Sequence, residues 1–101
     1  LADVKKFERF IFDALEYADN TILIECMREE EFAPVKNAPG APTDSPDTAR
    51  ELLIALHKQW AEDAGIEIEG TGPLEFSPEI TYAGEGLDEL GLSKIVLPFS
   101  L

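Results

Sequence analysis

Positive charge is scarce in this 101-residue sequence: eight lysines and arginines stand against 21 aspartates and glutamates, for a net charge of -13. Such a field repels nucleic acid and anionic membrane surfaces, so neither is an expected partner. A phosphate site would have to rest on a few placed lysines rather than on the overall potential. Cys26 is the single cysteine, which excludes an internal disulfide and fits a reducing, cytoplasmic setting. His57 is the single histidine, with no second histidine or cysteine at a metal-ligand spacing, and reads as structural. Ser77 and Ser93 have no histidine placed by a recognisable motif, so nothing supports a nucleophilic triad. No apolar run is long enough to span a bilayer, and no signal-peptide pattern opens the chain. The first residue is Leu1 rather than Met, and a helical pattern is under way almost at once, so the sequence reads as a piece of something longer.

What is present is an apolar fraction of 45%, enough for one small folded domain. Phe7, Phe10, Ile11, Ala14 and Leu15 recur at helical spacing and predict a helix over 4–18, with Asp3 as its cap and Asp19-Asn20 as its stop. Phe10 and Phe12 lie on different sides of a helix but on one side of an extended chain, which argues for a later start. The β-branched run 21–27 predicts a strand, followed by an acidic loop over 28–37. Residues 38–43, with two of the seven prolines and a glycine, mark a boundary.

Ser45-Pro46-Asp47 opens a second helix with a capping side chain, a proline at the first helical position and an acid on the positive dipole end. Ala49, Leu52, Leu53, Leu56, Trp60 and Ala64 form its apolar stripe, and Gly65 closes it. Beyond it, 66–69, 74–76, 80–82 and 95–97 read as short strands with tight connections, which predicts a mostly antiparallel sheet. The class expected is α+β.

Candidates for chemistry are few. Lys5 and Lys6 sit beside aromatic residues, an arrangement that can hold a phosphate while a ring packs on a sugar, although aromatic stripes at helical spacing usually pack inward. Lys36 lies in a loop leaving the predicted strand, where open α/β folds bind ligands, although most lysines are simply exposed. Glu29, Glu30 and Glu31 are consecutive, so their carboxylates point in different directions and read as a solvated stretch rather than a cation site. Gly84-Glu85-Gly86 lacks the phosphate-loop pattern and reads as a turn.

Four segments taken together, KKFERFIFD (5–13), REEEFAPVKN (28–37), DSPDTAR (44–50) and ITYAGEGL (80–87), resemble the C-terminal portion of the UDP-N-acetylhexosamine pyrophosphorylases in order and spacing. The usual serine before Pro34 is Ala33 here. The family's glycine-rich nucleotide loop, LxxGxGTxxGxxxPK, is absent from this sequence.

The resemblance implies a parent nucleotidyltransferase that joins UTP and N-acetylglucosamine 1-phosphate, with Mg²⁺, to give UDP-N-acetylglucosamine and pyrophosphate. It implies that Lys6 contacts the nucleotide phosphates, that Lys36 contacts the phosphate next to the sugar, and that Phe10 and Phe12 line the sugar pocket. It identifies no Mg²⁺ ligand in this chain. It further implies that 1–39 are the C-terminal edge of a Rossmann-like catalytic domain and 40–101 a small C-terminal domain. The chain is then inactive alone, with the N-terminal catalytic portion of the same protein as its partner. The rivals are a pyrophosphorylase for another UDP-sugar and a non-catalytic acidic module that forms a homodimer.

Overall fold

The structure is a computed structural model that describes residues 3–101. Its best-formed element is helix α2, Pro46–Asp63, and the sequence shows why. The Ser45 hydroxyl accepts the Thr48 backbone N–H at 3.2 Å, and the Thr48 hydroxyl accepts the Ser45 N–H at 3.0 Å. Two of the N–H groups that a helix leaves unpaired are thus satisfied reciprocally. Gly65, at φ 78°, ends the helix in a left-handed turn that a side chain would oppose.

After α2 come four short strands: β1 (Glu67–Glu69), β2 (Leu74–Glu75), β3 (Lys94–Val96) and β4 (Phe99–Ser100). The expected antiparallel arrangement is corrected: β1 pairs with β3 and β2 with β4, both in parallel. The connections explain it. β1 and β2 follow each other in one direction, as do β3 and β4, so two extended segments run side by side with a long crossover between them. Parallel pairing needs such a crossover and cannot use a hairpin. The Leu97 N–H donates to Glu69 O and the Phe99 N–H to Pro73 O, which carries the pairing across the bend between the two strand pairs. There the Gly70–Pro73 turn lies against Leu97-Pro98, and a Cβ built on Gly70 would meet the Leu97 carbonyl at 3.3 Å. The crossover includes a 3₁₀ turn at Leu87–Leu90. The strand expected at 80–82 is instead part of a turn.

The core lies between α2 and these strands. Ala61, Ile66, Leu74, Phe76, Leu87, Ile95 and Leu97 are buried, with Trp60, Ala64, Ile68, Leu92 and Phe99 packed around them. Alternate residues of the strands point inward, as the pleat requires. The packed face of α2 is the one bearing His57, Trp60, Ala61 and Ala64. Leu52 and Leu53, assigned to the core stripe by periodicity, remain 41% and 51% exposed.

The N-terminal third differs from expectation. The helix predicted over 4–18 is a 3₁₀ helix at Ile11–Tyr17 that buries nothing, with Phe10 extended before it. The later start inferred from Phe10 and Phe12 is what is seen. The predicted strand at 21–27 does not form, and Leu23 there is 91% exposed. A lone strand with no neighbour forms no ladder, and a helical face with nothing against it gains no burial. A four-residue helix, α1 (Arg28–Glu31), follows and touches α2. The radius of gyration, 19.1 Å, reflects this extended arm; a compact chain of this length has about 13 Å.

Candidate functional site

The candidate residues fall in two places. Lys6, Phe10 and Phe12 are on the N-terminal arm. Phe10 is extended and Phe12 lies in the first turn of the 3₁₀ helix, and their rings stack with centroids 6.1 Å apart and planes at 23°. They are 56% and 65% exposed, so they offer a surface rather than the wall of a pocket. Lys6 pairs with Glu8, a contact worth little when both side chains are so open to water.

Lys36 sits on a loop held by its own backbone. The N–H groups of Lys36 and Asn37 both donate to the Asp44 carbonyl, at 2.7 and 2.9 Å, and the Asn37 side chain donates to Thr43 O at 2.8 Å. The Gly40 N–H donates to the Asp47 carboxylate at 2.6 Å, which ties the loop to the first turn of α2. Asp44 takes φ 49°, a left-handed conformation that aspartate tolerates better than most residues. The Lys36 side chain itself extends into solvent. Among the described residues, no hydrogen bond, ion pair or ring contact joins this loop to Lys6, Phe10 or Phe12.

A cavity of about 610 Å³ lies elsewhere, bounded by Ala33, Arg50, Leu53, His57 and Glu75 among others. None of the four candidates lines it. Among the described residues, no three histidine, cysteine, aspartate or glutamate side chains converge as metal ligands. Glu29, Glu30 and Glu31 lie on a single turn of helix, where consecutive side chains leave the axis in different directions. The donor groups present therefore do not fit a Mg²⁺ site.

Two residues read from the sequence as structural and as part of a turn make polar bonds that the sequence did not specify. The first is His57, whose Nδ1 accepts the Phe76 backbone N–H at 2.8 Å. The signal for it was a polar residue one turn before Trp60 on an otherwise apolar helix face. The second is Glu85. Its carboxylate accepts the N–H groups of Ala83 and Tyr82, at 2.6 and 3.0 Å, and the Thr81 hydroxyl at 3.0 Å. Those backbone donors, Ala83 first, hold its pKa down at about 2. The turn thus carries its own anion, and Gly84 at its tip packs against the Trp60 ring. The turn expected at 84–86 is present, and it braces α2.

The architecture is a small mixed α+β unit led by an extended arm, and its relatives are nucleotidyltransferases of amino-sugar metabolism. More particularly, the chain is homologous to a C-terminal portion of the UDP-N-acetylglucosamine pyrophosphorylases, also named diphosphorylases. It is 48% identical over 90 residues to UDP-N-acetylglucosamine diphosphorylase 2 of Arabidopsis thaliana, covering 84% of this chain and 18% of that protein. It is 39% identical over 112 residues to UDP-N-acetylhexosamine pyrophosphorylase-like protein 1 of Xenopus tropicalis, covering 93% and 22%. It is 37% identical over 86 residues to UDP-N-acetylglucosamine pyrophosphorylase of Saccharomyces cerevisiae, covering 83% and 18%. The chain thus spans about a fifth of the length of the curated relatives it matches. No family model matches it. Among the described residues, no helix is long and apolar enough to cross a membrane.

Proposed function

We propose that this chain is part of a uridylyltransferase that joins UTP and N-acetylglucosamine 1-phosphate to give UDP-N-acetylglucosamine and pyrophosphate. The observation that carries this is the 48% identity over 84% of the chain to a protein named UDP-N-acetylglucosamine diphosphorylase 2. In the reaction a sugar phosphate oxygen attacks the α-phosphorus of UTP, and pyrophosphate leaves. The protein's share is positioning and neutralisation of charge. Lys36 binds the phosphate next to the sugar, Lys6 binds the nucleotide phosphates, and Phe10 and Phe12 pack on the sugar. The stacked, open Phe10 and Phe12 rings suit contact with a sugar face. The backbone-pinned loop at 36–44 presents Lys36 from a fixed base.

Residues 1–39 belong, in this reading, to the edge of a Rossmann-like catalytic domain and 40–101 to a small C-terminal domain. Mg²⁺, where the parent uses it, would supply neutralising charge for the triphosphate, and no residue of this chain is identified as its ligand. The glycine-rich nucleotide loop lies outside this chain, so the chain alone is inactive. A cytoplasmic location accords with the free, exposed Cys26.

Pyrophosphate release tests the reading. The full-length protein should release pyrophosphate from UTP with N-acetylglucosamine 1-phosphate, while the 101-residue chain should be silent with every sugar phosphate. A full-length protein active only with glucose 1-phosphate would replace this substrate by another. Full activity of the isolated chain would overturn the division of the site.

A further inference from the structure

His57 is 6% exposed, on the face of α2 that meets β2. Its ring stacks on Trp60, with centroids 4.7 Å apart, and lies 6.0 Å from the ring of Phe76. Its Nδ1 accepts the Phe76 backbone N–H across nineteen positions of sequence. A ring nitrogen that accepts must keep its lone pair, so the imidazole is neutral and its proton is on Nε2. We propose that this contact is an acid-operated latch between α2 and β2: a proton taken up by Nδ1 removes the acceptor, and the joint opens.

The chemistry balances simply. A proton from solvent occupies the Nδ1 lone pair, and two donors, Nδ1–H and Phe76 N–H, then face each other. A buried backbone donor is left without a partner and a charge without water, both of which favour separation. The charged groups around the ring do not prevent this. Glu75 on β2, beside Phe76, favours the imidazolium, and Arg50 on α2 stands in the wall of the same cavity. β1 brings the exposed Glu67 and Glu69, α1 brings Glu30 and Glu31 beside Leu56 and Trp60, and β4 has no charged residue. Burial outweighs Glu75 and holds the His57 pKa below its ordinary value of 6.5.

The sign follows. Between the folded pKa and 6.5 the unfolded chain binds the proton and the folded chain does not. Stability is therefore complete above that window, falls as pH drops through it, and levels off below. One proton changes the opening equilibrium by at most about tenfold per pH unit.

Hydrogen exchange at the Phe76 amide, followed by NMR from pH 7.5 to 5 and corrected for intrinsic exchange, tests the latch. Protection should fall as pH drops below about 6.5, with a slope approaching tenfold per unit. In His57→Gln, where a non-titrating amide oxygen can accept, protection should not depend on pH. PH-independent protection in the wild type, or the same fall in the variant, would overturn the proposal. The wild-type ring gives a second readout that needs no variant. Nitrogen chemical shifts should show an unprotonated Nδ1 at pH 7.5 and titration below 6.5, whereas a protonated Nδ1, or titration at or above that value, would remove the latch.

Discussion

Gly84 shows how a single residue couples a turn to the core. It takes φ 94°, and a Cβ built on it would stand 2.9 Å from Trp60 Cγ and 3.1 Å from two further atoms of that side chain. The backbone conformation and the ring thus exclude any side chain independently. Gly84→Ala should lower the unfolding free energy by about 1–3 kcal/mol, through backbone strain and displacement of Trp60. Urea denaturation reads this directly; an unchanged midpoint would mean that the turn does not brace the helix. Glu85 beside it explains why the turn needs no partner from elsewhere. Its carboxylate is saturated by donors within four positions in sequence and stays ionised far into the acid range. The residue was visible in the sequence as part of a glycine-flanked turn. Its bonding was not, because which donors converge on a carboxylate depends on backbone angles that composition does not specify.

Among the elements, α2 was the most legible, because its signals are local. Ser45, Pro46, Asp47 and Gly65 act on backbone groups within one turn of themselves, so the bounds 46–63 could be read almost to the residue. Ser45→Ala should destabilise the fold by about 1 kcal/mol, since the Thr48 N–H loses its acceptor. Thermal unfolding measures the loss, and no change would show that Thr48 or water replaces the cap. The strands were legible as strands at 67–69, 74–75 and 94–96 but not in their direction. Direction is set by pairings some 25 positions apart, such as Ile68 with Ile95, and no local pattern encodes them. The choice of face on α2 failed for a related reason. Leu52 and Leu53 share the helical period of the buried residues, but only the strands decide which side is covered.

The whole molecule divides its apolar residues unequally. Among the described residues the buried apolar side chains begin at Ala61, whereas Phe7, Ile11, Leu15, Ile22, Leu23 and Ile24 remain exposed on the arm. Helical and strand periodicity at 4–27 was therefore real in the sequence and unrealised in the chain, because regular structure there requires a surface to pack on. The proposed site rests on the order and spacing of four segments. No single lysine announces a phosphate ligand, and Lys6 and Lys36 stand thirty positions apart. Lys36 is proposed as a phosphate ligand of the parent enzyme, and the kinetics of Lys36→Ala in the full-length protein test that most directly. Loss of a charge-assisted hydrogen bond worth about 1.5–3 kcal/mol should reduce kcat/KM for N-acetylglucosamine 1-phosphate roughly ten- to hundredfold. A variant with wild-type kinetics would contradict it.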